Sequence, residues 1–112
     1  MKCHMRVARP VTDVVVTKTM YCDGLNFQLL GEFCNHDGFD GIMLGSPSMN
    51  YHFEFTKCEG HKVTPSSTPE DLIVFYEADE ITWTERCDLL TQAGFRQVKS
   101  FNPYWDVHGR TF

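Results

Sequence analysis

The sequence predicts an α+β fold made of two βαβββ units in tandem. Three observations carry this reading. The order strand, helix, strand, turn, strand occurs twice, on either side of a polar stretch at 59–70 that holds two prolines. Matching positions keep a nearly constant separation: Val7 and Val74 are 67 apart, Phe27 and Phe95 are 68 apart, and Gly38 and Gly109 are 71 apart. The 112 residues fit one domain, since domains cluster near ~100–150 residues, and 42% hydrophobic with 22% charged residues is ordinary globular composition.

Each element follows from local chemistry. Residues 3–8 alternate weakly and run into Pro10, so they read as a strand that proline ends. Thr12-Asp13 offers an N-cap for a segment reaching about Cys22. Its Val14-Val15-Val16 run favours a strand, but Val16 and Met20 stand at i and i+4 across polar residues, so a helix is expected, stopped at Asp23-Gly24. A strand over 27–33 is interrupted at Gly31, and Asn35-His36-Asp37-Gly38 is a hairpin turn. Residues 42–44 form a strand, with Gly41 and Gly45 read as punctuation. Residues 51–55 alternate cleanly, as in a half-buried strand.

Beyond the linker, 72–76 (Leu-Ile-Val-Phe-Tyr) reads as an apolar strand. Asp79 caps a helix through Ala93, closed by Gly94, and Trp83 on it reads as packing. Residues 95–101 read as a strand, 102–105 as a loop, 107–109 as a turn and 110–112 as the start of another strand. The counterpart of strand 51–55 would fall past Phe112. The single domain is therefore expected to comprise a first unit at 1–58, a linker at 59–70 and a second unit at 71–112 that lacks its last strand.

Ten basic residues against fifteen acidic ones give a net charge of −5, the wrong sign for non-specific nucleic-acid binding. No apolar run approaches the ~18–20 residues of a membrane span, and no apolar signal core follows the N-terminus, so a cytoplasmic protein is expected. The five cysteines are odd in number and form no C-x-x-C, so they read as reduced, mostly packed thiols.

The tandem order, with Met5-Arg6-Val7 before the first helix, Met20-Tyr21 and Gly24-Leu25 at its end and Phe53-Glu54-Phe55 in the fourth strand, resembles the vicinal oxygen chelate superfamily. That group includes glyoxalase I, extradiol dioxygenases, and fosfomycin and bleomycin resistance proteins. The resemblance implies two sheets curled around a site and four ligands to a divalent metal that chelates neighbouring substrate oxygens. It places the fourth-strand carboxylate at Glu54. It puts the first-strand ligand near Lys2, with His4 two residues on and on the same strand face, and the third near Asp71. The metal ligands it suggests are thus Glu54 and His4.

The residues themselves point to the same strands. His52 and Glu54 at i and i+2 share one strand face, opposite Tyr51, Phe53 and Phe55. If Phe53 faces the helix, His52 and Glu54 face the concave side, where they could ligate a metal or move a proton, or simply form a polar sheet face. Arg6 shares a face with His4 and could clamp a carboxylate or phosphate, or pair with Glu54 as a structural ion pair. Tyr104 and Trp105 beside Pro103 could stack on a ligand at a cavity mouth, or tuck onto the core. His36, His61 and His108 have no ligand spacing and read as solvent-facing.

Two functions remain open at this point. One is a glyoxalase- or dioxygenase-like enzyme with catalytic Glu54 and His52 and a divalent metal ion. The other is a metal-free small-molecule binder of the bleomycin resistance type, with Arg6, Tyr104 and Trp105 contacting the ligand. An incomplete unit leaves a sheet edge that recruits a strand, and members of the resembled superfamily commonly pair, so a homodimer is expected. Neither a nucleic acid nor a membrane is an expected partner.

Overall fold

The computed structural model of the chain describes residues 1–64 and 68–112. In chain order its elements are β1 (Met5–Pro10), α1 (Val14–Leu25), β2 (Gln28–His36), β3 (Phe39–Gly45), β4 (Tyr51–Cys58), α2 (Glu80–Gln92) and α3 (Pro103–His108). The four strands form one sheet in the order β1-β4-β3-β2. β1 lies parallel to β4, and the remaining neighbours are antiparallel. This is an α+β fold, and the first βαβββ unit is complete.

The caps are set by the expected residues. The Asp13 carboxylate accepts from the N–H groups of Val15 and Val16, both at 3.0 Å, satisfying donors that the first turn of α1 leaves free. Asp79 does the same for α2, accepting from Thr82 N–H at 2.8 Å and from its hydroxyl at 2.7 Å. Asp37 and Gly38 both take positive φ, 51° and 85°, as a two-residue hairpin between twisted strands requires.

α1 covers one face of the sheet. Beneath it Ile42, Leu44, Phe53 and Phe55 are buried, and Val7, Val14, Tyr21, Cys22, Phe27 and Tyr51 pack around them. The rings interlock: Tyr21 lies 4.6 Å from Phe55 and Phe27 5.5 Å from Phe53. Burying one such side chain contributes about 1.5–3 kcal/mol, so the aromatic cluster is the main adhesive between helix and sheet. The valine run of α1 is helical because this packing outweighs a propensity difference of a few tenths of a kcal/mol per residue.

Several expectations are corrected. α1 does not stop at Gly24 but continues to a left-handed Asn26 at φ 56°. Gly24 is buried where α1 meets α2: a Cβ there would lie 3.0 Å from Leu90 and 3.1 Å from Phe95. Its carbonyl accepts from the Arg86 guanidinium at 3.0 Å. The glycine serves close helix approach rather than termination.

The segment expected as a strand at 72–76 does not pair, and that at 95–101 pairs only through one bridge. Among the described residues the second half contributes only the bridge Val98–Thr111 to β structure. Residues 72–76 belong to no helix or strand and are exposed, although the Phe75 ring also reaches the core rings, 6.2 Å from both Phe27 and Phe53. An apolar β-prone run becomes a strand only when a neighbour accepts its ladder. The expected loop at 102–105 and turn at 107–109 are instead largely α3, which starts on Asn102 as cap with Pro103 at its first turn, a position proline favours. The linker expected over 59–70 includes residues 65–67, which lie outside the described residues. Of the five free thiols only Cys87 is buried, while Cys3 and Cys34 are exposed, against the expectation of packed cysteines.

Candidate functional site

Strand pairing places the candidate residues on one surface. Arg6 of β1 lies opposite His52 of β4, and Ala8 opposite Glu54. Side chains alternate along a strand. Phe53 and Phe55 enter the core under α1, so Arg6, His52 and Glu54 project from the opposite face, and His4 joins them from the segment before β1. β3 sets Gly45 beside His52 and Met43 beside Glu54.

The same face also carries apolar side chains, with Gln28 and Thr56 at the register positions of Gly45 and Gly41. The Met43 methyl lies over Gly31, where a Cβ would approach it to 2.8 Å, and the tip of the Phe33 ring occupies the space a Cβ at Gly41 would need. A Cβ at Gly45 would meet Leu30 at 3.3 Å. Gly41, Met43 and Gly45 were legible as one face, because they alternate with buried Ile42 and Leu44. Reading the two glycines as hairpin punctuation missed their role in leaving room for Phe33 and Leu30.

A continuous hydrogen-bond chain links the four polar side chains. His4 Nε2 and His52 Nδ1 are 2.5 Å apart. Arg6 Nε donates to His52 Nε2 at 2.8 Å, and Arg6 Nη1 donates to Glu54 Oε2 at 3.0 Å. Guanidinium only donates, which fixes the tautomer. His52 Nε2 carries no proton, Nδ1 does, and Nδ1–H donates to His4 Nε2.

Burial, then the Arg6 charge, then His4 push the His52 pKa below its usual 6.5, and Glu54 opposes them more weakly. The sign for stability follows from proton uptake. As pH falls through 6.5, the unfolded chain takes a proton that folded His52 resists, so stability drops on acidification from 6.5 down to the lowered folded pKa. NMR should show His52 as the Nδ1–H tautomer titrating below 6.5, and Arg6→Ala should raise its midpoint. A midpoint at or above 6.5 would contradict the arrangement.

The Arg6 side chain is 48% exposed and that of Glu54 18%. An ion pair this open contributes only about 0–1 kcal/mol, so it is not what holds the sheet together.

The donor set does not fit a divalent metal. His52 Nε2 and Glu54 Oε2, which would face the ion, already accept from Arg6, and His4 Nε2 accepts from His52. The guanidinium adds positive charge between them. Asp71, at the third-ligand position, spends one carboxylate oxygen on the Thr68 N–H and hydroxyl at 2.9 and 3.0 Å. Among the described residues no three His, Cys, Asp or Glu side chains converge as metal ligands.

Tyr104 and Trp105 are not brought to this face. They sit on α3, stacked edge to face at 5.1 Å, with Tyr104 also 4.5 Å from His108. Among the described residues α3 packs against no strand. A cleft of about 570 Å³ does lie in the second half, bordered by Glu77, Trp83, Asp106 and Arg110, and none of the candidate residues lines it. Arg110 sits 5.0 Å over the Trp83 ring, so Trp83 is cation-capped rather than simply packed. His36 is exposed, 3.8 Å from Asp37.

A βαβββ unit with α1 on one face of its sheet and a polar cluster on the other defines a protein of the vicinal oxygen chelate class. Comparison with known proteins narrows this. Residues 5–56 match the YycE-like N-terminal domain and residues 70–112 the YycE-like C-terminal domain. The chain is 37% identical over 108 residues to the uncharacterized protein YycE of Bacillus subtilis (strain 168), covering 96% of this chain and 78% of that protein. It also superposes on a 2.0 Å crystal structure of a Bacillus subtilis YycE protein with a TM-score of 0.85 and 36% identity, over 94% of this chain and 77% of the other. That protein is of unknown function and is provisionally described as a glyoxalase/fosfomycin resistance protein. The chain belongs to the YycE-like family.

Proposed function

We propose that this chain is a small-molecule binding protein that receives its ligand on the sheet face bearing His4, Arg6, His52 and Glu54. The carrying observation is the double engagement of Arg6 with His52 and Glu54. A glyoxalase- or dioxygenase-type enzyme would use Glu54 as metal ligand or base. Here Glu54 Oε2 already accepts from Arg6 Nη1 at 3.0 Å, so this oxygen is turned to the guanidinium rather than to a substrate. A ligand-sequestering role, of the kind found among resistance proteins of this fold, needs no free base. It needs a pre-organised polar patch beside apolar surface, as Met43, Leu30 and Phe33 supply. The test is amide shift mapping with small-molecule fragments. Binding should move the signals of residues 4–8 and 51–56. Hits that move only residues of the second half would overturn the reading.

The same proposal includes a homodimer. Residues 72–76 present an exposed apolar run of strand-favouring composition, with Tyr76 86% exposed and no ladder partner among the described residues. Such an edge favours pairing with another strand, and a second copy of this chain supplies one of matching chemistry. Light scattering at micromolar concentration should report twice the 12.9 kDa of the chain. A Val74→Lys variant should shift the equilibrium toward monomer. A wild-type monomer across that range would contradict the dimer. Among the described residues no helix is long and apolar enough to cross a membrane.

A further inference from the structure

We propose that Arg6 is the resident cation of this site, occupying the place a divalent metal would take, and that the ligand is a small organic oxyanion with an apolar body. The inference rests on the binding reading above and goes further by naming the ligand chemistry. Guanidinium carries five N–H donors. One is spent on His52 Nε2 and one on Glu54 Oε2, and among the described residues the other three meet no acceptor. The side chain is 48% exposed, so these donors face the open side of the sheet.

His52 and Glu54 hold the planar group from two sides, which fixes its orientation before a ligand arrives. A pre-oriented fork suits carboxylate or phosphonate oxygens, which it can bind in bidentate fashion. The surface beside it includes Met43, Leu30 and Phe33 packed over glycines, which suits an apolar ring or chain. The same geometry accounts for the poor metal fit: His52 Nε2 and Glu54 Oε2 are turned toward Arg6, and His4 Nε2 toward His52.

The experiment has two arms and uses the full chain. In the first, benzoate, phenylphosphonate and the neutral isostere benzyl alcohol are titrated into wild-type protein, following amide signals of residues 4–8 and 51–56. At least one anion should bind about tenfold more tightly than benzyl alcohol, and the ratio between benzoate and phenylphosphonate tells which oxyanion the fork prefers. Arg6→Met should abolish the preference, while Arg6→Lys, which keeps the charge without the fork, should retain only part of it. In the second arm cobalt(II) is titrated and followed by its visible absorption. Wild type should show no site that depends on His52. Arg6→Met should gain such a site, lost again on adding His52→Ala.

Benzyl alcohol binding this face as tightly as both anions would overturn the resident-cation proposal while leaving the binding reading intact. No shift at this face with any of the three probes would overturn the proposal on the wild-type protein alone, whatever the variants do. Hits confined to the second half would count against both. Wild-type cobalt binding that needs both His52 and Glu54 would also overturn the proposal.

Discussion

Phe53→Ala should cost about 3–5 kcal/mol, the range for removing a buried phenylalanine ring and leaving a cavity. Phe53 is 2% exposed and touches Tyr21, Phe27, Tyr51, Phe55 and Phe75. It joins helix, sheet and the 72–76 segment in one cluster, so no single neighbour can collapse to fill the void. Domains of this size are stable by only about 5–15 kcal/mol, and the loss removes a large share of that. Urea denaturation should show a much lower midpoint at an unchanged slope. A change under 1 kcal/mol would show that the aromatic cluster is not the centre of the fold.

Gly24→Val should come next in severity, at about 1–3 kcal/mol of overpacking. A Cβ at this position meets Leu90 at 3.0 Å, Phe95 at 3.1 Å and the Ala93 methyl at 3.3 Å, and valine adds two further methyls. The stress falls on the α1–α2 contact, where Arg86 also donates to the Gly24 carbonyl. Amide exchange should therefore accelerate first in α2, with the four-stranded sheet less affected. Uniform loosening of β1 to β4 instead would mean that α2 is not docked through this glycine.

The parts of the fold legible in the sequence are those fixed by short-range chemistry. Asp13 and Asp79 announce their helices because an N-cap needs only a carboxylate two or three residues ahead of free N–H groups. Asp37-Gly38 announces its hairpin through positive φ. The alternation of 51–55 puts Phe53 and Phe55 inside and His52 and Glu54 outside. The same period-2 reading brings Arg6 onto the face of His52 once β1 pairs with β4.

What the sequence hides is tertiary. Leu72 to Tyr76 has strand composition, yet pairing depends on a neighbour that local pattern does not reveal. Gly24 looks like a stop signal, and only the approach of α2 shows why it lies inside the helix. Asn102-Pro103 reads as a loop bend, yet the structure uses the asparagine as a cap and the proline in the first turn of a helix. Tyr104 and Trp105 follow that helix and stay apart from Arg6 among the described residues. Position along the chain says little about which loops reach a site assembled across strands.

The most direct test of the proposed ligand face is the methyl spectrum of the protein's five methionines during addition of benzoate. Met43 lies beside Glu54 on the proposed ligand face, whereas Met20 is on α1 beside Gly94. Binding beside Arg6 and Glu54 should move the Met43 methyl and leave Met20 in place. A shift of Met20 with Met43 unmoved would place the ligand elsewhere and contradict the assignment.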